Sequence, residues 1–181
     1  MDWHRLGDGG SEAGRRAGVL DLLRRAQREL GGPPVTGTRL LYRARDMLAA
    51  TREIEAAVRG ADTTLFAGFQ RAGKFDGEAA TYRGLVAAGA RVVAFGTGEP
   101  AHQTGVRWVR LPEDQAALQN QWLLVTERPE PIAFVGFETS EPERFGRAAV
   151  SDSGRTFTGF VTGDRRLVRA IAEHLEAIGP P

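Results

Sequence analysis

Two apolar segments separated by a helical pattern constrain the fold of this chain more than any other feature. Thr63–Phe69 is rich in β-branched and aromatic side chains, and Arg91–Phe95 is apolar at every position after its arginine. Both segments are predicted to be strands, and the second is apolar enough to be covered on both faces of a sheet. A helix is predicted between them over Glu78–Ala88, after a loop bracketed by Gly73 and Gly77. A strand–helix–strand connection of this kind favours a parallel pair of strands.

A helix is predicted before this unit, and further strands and a last helix are predicted after it. The spacing of Met47, Ile54 and Val58 indicates a helix over Tyr42–Arg59. The later predicted elements are strands over Val106–Leu111, Gln121–Thr126, Ile132–Glu138 and Arg155–Thr162 and a helix over Asp164–Ile178. The sequence therefore predicts a single α/β domain. It should have a mixed sheet of about five or six strands, a parallel α-β-α-β core, an antiparallel hairpin and packed helices.

The amino-terminal part is expected to be distinct from the main domain. Residues 1–10 are predicted to form a flexible tail. The apolar positions within 11–30 predict an amphipathic helix whose remaining surface carries arginines. A Gly-Gly-Pro-Pro break ends this helix, so that helix and break together span 11–34 and the α/β domain spans 35–181. The helix could pack on the domain or pair with a second copy of the chain as a homodimer.

Composition limits the partners and the location of the protein. The formal net charge is +1, so no global field attracts nucleic acid or an anionic membrane. The absence of cysteine excludes disulfides, thiol nucleophiles and thiolate metal sites. The amino terminus lacks an apolar signal region, and no apolar run approaches the roughly 20 residues of a membrane helix. We therefore expect a cytoplasmic protein that binds neither nucleic acid nor membrane.

Familiar catalytic motifs are absent from the sequence. It contains no phosphate-binding loop with a terminal Lys-Ser/Thr, no Gly-x-Ser-x-Gly elbow and no His-Glu-x-x-His helix. The histidines His4, His102 and His174 are far apart, and only His102 falls in a loop suited to a site. The sequence accordingly predicts neither a metal site nor a catalytic residue, and it leaves the cofactor unknown.

The candidate binding residues stand at or beside strand ends. They are Phe69, Gln70, Arg71, Gly96, Thr97, Glu99 and Trp122. Ligands of open α/β sheets bind at the carboxyl ends of the strands, and an amide followed by a guanidinium can fix a small anionic group. Gly96 could cradle an anion with its backbone, or it could simply allow the chain to leave the sheet. A ligand site around Gln70, Arg71 and Gly96 is therefore expected.

The same segments resemble the DICT sensory domain family. Leu65–Arg71 is similar to the Gly-Phe-Gln signature of that family, and Val93–Gly96 is similar to its Val-x-Phe-Gly strand end. The pair Ile54-Glu55, the pattern Tyr82-x-x-Leu85, Trp122 and the segment Arg155–Asp164 match in order, so that the resemblance covers roughly residues 38–178. The resemblance implies a sensory role in bacterial signalling, as in domains attached to diguanylate cyclases and two-component proteins.

Three functions compete on this basis. The first is a stand-alone bacterial sensory or regulatory domain that binds a small ligand or a signalling protein partner and signals through association rather than catalysis. The second is an enzyme acting on a phosphorylated or nucleotide ligand at the strand-end loops around Gln70 and Gly96, which a carboxylate or His102 within reach would favour. The third is a nucleic-acid binder that uses the arginine face of residues 11–30. The sequence favours the first.

Overall fold

A seven-stranded sheet forms the centre of the protein in a computed structural model, which describes residues 23–33, 35–41, 43–60, 62–102, 105–111, 121–138 and 157–178. The strands are β1 (Thr38–Leu41), β2 (Thr64–Arg71), β3 (Arg91–Thr97), β4 (Arg107–Arg110), β5 (Gln121–Thr126), β6 (Ile132–Glu138) and β7 (Phe157–Thr162). The helices are α1 (residues 23–30), α2 (Ala44–Val58), α3 (Ala72–Ala87) and α4 (Arg165–Ile178).

The sheet is mixed, and its order is β1-β7-β6-β5-β2-β3-β4. Strands β2, β3 and β4 run parallel, whereas β5, β6, β7 and β1 continue the sheet through antiparallel pairs. The predicted parallel pair and the predicted hairpin are thus both confirmed. Because α3 crosses from β2 to β3, the carboxyl ends of these strands lie at the same edge of the sheet, where α3 begins and the loop after β3 leaves.

Helices cover both faces of the sheet. On one face, α2 and α3 bury Met47, Ile54 and Leu85 against the apolar side chains of β2, β3 and β6. On the other face, α1 and α4 bury Ala26 and Leu167 against the alternate residues of the same strands. This alternation follows from the period of two along a strand, and it makes the protein a three-layer α/β/α sandwich.

Two local predictions were wrong, although the fold class is confirmed. The strand count is seven because β1, a strand of only 4 residues, pairs with β7 at the edge of the sheet. The expected loop between Gly73 and Gly77 is helical, because α3 begins at Ala72. Both glycines face open space. The free energy gained by burying Phe75 between them outweighs the roughly 1 kcal/mol by which each glycine destabilises a helix.

The described part of the amino-terminal helix packs on its own domain. Ala26 is fully buried, and Leu23 and Leu30 pack against the same apolar cluster as α4. Its apolar face is therefore used within the chain along residues 23–30. The predicted tail at 1–10 and the first part of the predicted helix lie outside the described residues.

Candidate functional site

The carboxyl ends of β2 and β3 form the base of the site. Gln70 is buried and has a φ of 64°, the left-handed region that side chains other than glycine rarely adopt. Its carbonyl accepts a hydrogen bond from the Thr97 hydroxyl at 3.2 Å, and the register of the two strands shifts between Gly68 and Arg71. This bulge changes the path of β2 where α3 begins, so that the start of α3 lies beside the end of β3.

Gly96 allows an aromatic side chain to lie directly on the sheet. A Cβ atom at this position would stand 2.7 Å from Cη2 of Trp108 and 3.3 Å from the backbone nitrogen of Arg71. The φ of Gly96 is not positive, and the glycine is therefore required for space. The glycine thus serves the close approach of a side chain, which was not one of the two interpretations open from the sequence, and an anion cradle at Gly96 stays a prediction.

An aspartate of α3 holds the loop that follows β3. Oδ1 of Asp76 accepts hydrogen bonds from the backbone N–H of Ala101 at 2.9 Å and from that of His102 at 3.3 Å. The same oxygen lies 3.2 Å from Nδ1 of the His102 ring. The carboxylate therefore positions both the loop and the imidazole.

Electrostatics favours the ionised form of Asp76. The hydrogen bond from Ala101 is the largest cause that holds the pKa of Asp76 below its ordinary value of 3.8. Burial opposes this shift, and hydrogen bonds with the ring and the backbone of His102 lower the pKa further. An ionised carboxylate only accepts hydrogen bonds, so Nδ1 of His102 carries the proton in this pair. In a neutral ring Nε2 is then the acceptor, and it is suited to take a proton from a ligand or a water molecule.

A pocket of 490 Å³ opens beside this pair. Its described lining residues are Phe75, Glu99, Pro100, His102, Gly105, Val106, Arg107 and Trp108. Among them His102, Arg107 and Glu99 supply an imidazole, a cation and a carboxylate, and aromatic rings form much of the remaining wall. This volume is in the range of pockets that hold small molecules.

The aromatic wall continues into the protein interior. The ring centroids of Trp108 and Phe75 are 5.3 Å apart, and Phe75 in turn packs edge-on against Phe69 at 5.2 Å. Tyr82 lies on the other side of Phe69, with centroids 5.0 Å apart. The pocket is therefore backed by a packed aromatic layer under α3.

A second polar cluster ties α2 to α3 behind this layer. Arg52 donates to Oε2 of Glu55 at 2.7 Å and to both carboxylate oxygens of Glu78 at 3.1 Å. Burial raises the pKa of the Tyr82 hydroxyl well above its usual range, and the charge of Glu55 and a hydrogen bond with it raise this pKa further. Glu55 is only 6% exposed, so these partners stabilise a carboxylate that water scarcely reaches.

The structure brings some of the predicted binding residues together and separates others. Gln70, Arg71, Gly96 and Thr97 meet at the ends of β2 and β3, and Glu99 lines the pocket, where it also lies 3.8 Å from Arg110. Phe69 belongs to the aromatic layer instead of the described pocket wall. Trp122 is on β5 and packs edge-on against Phe134, with ring centroids 5.3 Å apart. A ligand role for these residues stays a prediction.

Sequence reasoning missed Asp76, Arg107 and Trp108 as site residues. Asp76 fell in the segment interpreted as a loop, and no motif singled out Arg107 or Trp108. One signal could have located Asp76: in a parallel β-α-β unit, the first turns of the helix lie beside the loop that follows the second strand. That loop contains His102, the one histidine already singled out.

Comparison with known proteins gives matches at the level of structure only. No protein-family model and no curated protein match the chain. A polyphosphate kinase from Porphyromonas gingivalis matches with 13% identity and a TM-score of 0.53, over 80% of this chain and 26% of that chain. With so low a sequence identity, the match shows only that this chain and the kinase share a fold.

Two further solved structures match over most of their own length. NucT from Helicobacter pylori has 10% identity and a TM-score of 0.47, over 78% of this chain and 94% of that chain. Nuc from Salmonella typhimurium, a phospholipase D family member, has 12% identity and a TM-score of 0.45, over 77% of this chain and 91% of that chain.

These comparisons correct the prediction of a sensory function. Of the structures described above, the one with a TM-score above 0.5 is named as a polyphosphate kinase, which is an enzyme and not a sensory domain. The prediction of a stand-alone sensory or signalling module is therefore wrong, and the second hypothesis, an enzyme acting on a phosphorylated or nucleotide ligand, is better supported. The physical reason is that two of the residues behind it have architectural roles: Gly96 makes room for Trp108, and Glu55 accepts a hydrogen bond from Arg52 within α2.

Neither a membrane-spanning helix nor a metal-binding cluster is found among the described residues. No helix among them is long and apolar enough to cross a membrane. Within the same ranges, no group of three or more histidine or acidic side chains lies close enough together to hold a metal ion.

Proposed function

We propose that this domain is an enzyme that acts on a phosphorylated ligand, with His102 as its acid–base residue and Asp76 as the residue that positions it. The observation that carries the proposal is the Asp76–His102 pair, 3.2 Å apart, at the wall of a pocket beside the carboxyl ends of parallel strands. The fold shared with a polyphosphate kinase is consistent with phosphate chemistry at this edge.

The proposed step is hydrolysis of a phosphate ester. Nε2 of His102 accepts a proton from water as the water oxygen forms a bond to phosphorus, and the bond between phosphorus and the ester oxygen breaks. The proton on the imidazolium then passes to the departing alcohol, so that the histidine returns to its neutral form. Asp76 stabilises the imidazolium and keeps the proton of the neutral ring on Nδ1.

Arg107 supplies the charge that such a ligand needs. Arg107 is among the residues that line the pocket and is exposed, so its guanidinium is not held in a buried ion pair. A guanidinium binds two phosphate oxygens at once, which would fix the ester in front of His102. Nothing among the described residues provides a serine or cysteine nucleophile at the pocket, and the proposal therefore uses water.

The test uses the full chain with 4-nitrophenyl phosphate and bis(4-nitrophenyl) phosphate, and it measures release of nitrophenolate by absorbance. We expect turnover of at least one of the two esters, and we expect His102→Gln to lower kcat/KM by roughly 10²–10⁴-fold, the usual contribution of a general acid–base residue. Asp76→Asn should lower kcat/KM less, because the imidazole of His102 remains in the pocket. The substitution removes only the negative charge of Asp76 that stabilises the protonated imidazole.

Glu53→Gln is the matched control, since Glu53 is an exposed carboxylate on α2, away from the pocket. It should leave kcat/KM unchanged, and circular dichroism should show that all variants fold. Absence of turnover with both esters, or equal activity of His102→Gln and the unmodified protein, would refute the proposal.

The remaining expectations from the sequence stay predictions. These are membership of the DICT family, a cytoplasmic location, the absence of nucleic-acid binding and the homodimer through residues 11–30. The last is the least supported physically, because the apolar face of residues 23–30 already packs against α4 and the sheet.

A further inference from the structure

Trp108 is held rigidly at the wall of the pocket. Its Nε1 donates to the carbonyl of Gly98 at 3.0 Å, its ring packs against Phe75, and its far edge lies on Gly96. A ring fixed on several sides loses little further conformational freedom when a ligand stacks on it. The indole is nevertheless partly exposed, and it lines the pocket.

The polar groups around this ring complement two parts of one ligand. Arg107, the exposed first residue of β4, is among the residues that line the same pocket and carries the cation that a phosphate needs. Glu99 lies on the loop that leaves β3, and its carboxylate is an acceptor suited to sugar hydroxyl groups. An aromatic wall, a cation and a carboxylate acceptor in one pocket match a base, a phosphate and a ribose.

The size of the pocket agrees with a ligand of this kind. A volume of 490 Å³ is within the range of about 300–1,000 Å³ that is usual for small-molecule sites. A bare phosphate or a linear phosphate chain would leave the aromatic wall unused, since neither carries an apolar surface to place against Trp108.

We infer that the phosphorylated ligand of this pocket is a nucleotide and that Trp108 is the residue that selects it by stacking on the base. This inference rests on the proposed function, because it names the substrate class of the same site. Stacking of a base on an aromatic side chain is tolerant of base identity, so the selection is for a planar ring and not for one particular nucleobase.

Isothermal titration calorimetry with the full chain tests the inference, with AMP, ribose 5-phosphate and tripolyphosphate as ligands. Calorimetry is chosen because its signal does not depend on the tryptophan that is changed. AMP should bind about 10-fold or more tightly than ribose 5-phosphate, which lacks the base, and also more tightly than tripolyphosphate. Trp108→Leu should remove most of the preference for AMP, and Trp108→Phe, which retains a ring, should keep part of it.

Trp122→Phe is the control, since Trp122 packs on Phe134 and is not among the described pocket residues. It should leave the preference for AMP unchanged. Equal binding of AMP and ribose 5-phosphate by the unmodified protein overturns the inference, and this comparison needs no variant that might fail to fold.

The outcomes also separate this inference from the proposed function. If AMP and ribose 5-phosphate bind equally and His102→Gln still abolishes ester hydrolysis, the nucleotide inference is wrong and the proposed function stands. If AMP is preferred through Trp108 but neither nitrophenyl ester is hydrolysed, the catalytic proposal is wrong and the pocket is a nucleotide-binding site without that activity.

Discussion

At the scale of single residues, the contact between β6 and β7 depends on one glycine. A Cβ atom at Gly159 would stand 2.8 Å from the Cα of Gly136 and still closer to the carbonyl oxygen of Val135. Both neighbours are backbone atoms of the paired strand, so neither can turn aside as a flexible side chain would. The strands can keep this register only with glycine at position 159.

We expect Gly159→Ala to lower the free energy of unfolding by about 3 kcal/mol, the upper end of the usual range for overpacking. Gly77→Ala is the matched control. Gly77 is within α3 with nothing near its missing side chain, and alanine there should raise the free energy of unfolding by about 0.5–1 kcal/mol. Urea denaturation of both variants measures the difference, and effects of the same sign would contradict the argument.

At the scale of elements, the position of α3 against α2 depends on an ionic cluster in which only Glu55 is buried. Arg52 donates to Glu55 on its own helix and to Glu78 on α3, and the bond with Glu55 is the largest cause that raises the pKa of Arg52. Glu55 is nearly inaccessible to water, whereas Arg52 is 45% exposed at its side chain. Loss of the guanidinium would leave a buried carboxylate without its cationic partner.

We therefore expect Arg52→Gln to lower the free energy of unfolding by about 1–3 kcal/mol, with partial exposure of the arginine keeping the effect below that of a fully buried pair. Adding Glu55→Gln to this variant should restore part of the loss, because a neutral amide no longer needs the cation. Arg45→Gln on the same helix is the control. The side chain of Arg45 is 74% exposed, and its loss should change the free energy by less than about 0.5 kcal/mol. A double variant less stable than Arg52→Gln would contradict this account.

At the scale of the whole molecule, the two ends of the described chain are joined through one aspartate and one arginine. Asp164 accepts from the backbone N–H groups of Arg166 and Leu167 at the start of α4, and also from that of Thr36. Arg166 donates to the carbonyl oxygens of Gly31 and Pro33, at 2.5 and 2.9 Å, in the segment that follows α1. The pair thus fastens the amino-terminal segment to the last helix.

This connection predicts how stability changes with pH. Burial opposes ionisation of Asp164, but its bonds with Arg166, Thr36 and Leu167 outweigh burial and hold its pKa below the ordinary value of 3.8. A lowered pKa in the folded state means that the stabilisation is fully present above the unfolded pKa. It is lost as pH falls below about 3.8, through the folded value.

Asp164→Asn keeps a helix-capping side chain but removes the charge, and it should lower the free energy of unfolding by about 1–2 kcal/mol at pH 7. The difference from the unmodified protein should shrink as the pH falls from 7 through the lowered pKa of Asp164, because protonated aspartic acid is as neutral as asparagine. Urea denaturation across this range measures it, with the exposed Asp62→Asn as control. A difference that is constant over the whole range would show that the charge of Asp164 is not the cause.

Much of the architecture could be predicted because it follows from local pattern. β5 and β6 have the predicted bounds, and α4 begins one residue after the predicted start because Asp164 is its cap. β1 could not be predicted, since four residues at a sheet edge carry too little periodicity and depend on β7 for their hydrogen bonds.

The site was only partly predictable from the sequence. Most of what was missed follows from the segment between Gly73 and Gly77, which was predicted as a loop. The strand ends at Gln70 and Gly96 were correctly placed, because turns and polar residues mark the end of a buried strand. Asp76 was missed because the glycines around it suggested a loop, whereas burial of Phe75 makes that segment helical. The pairing of Asp76 with His102 joins residues far apart in sequence, and no local pattern contains such information.

The sequence by itself determined the α/β class, the parallel unit around β2 and β3, the hairpin and the edge of the sheet at which a site would form. These features follow from the periods of side-chain burial, which each segment carries alone. Only the tertiary structure decided that Asp76 orients His102, that Trp108 lies on Gly96, and that Arg52 joins two helices. Each of these contacts requires the packing of whole elements before its partners meet, because their energy depends on distances that the chain sets only when it is folded.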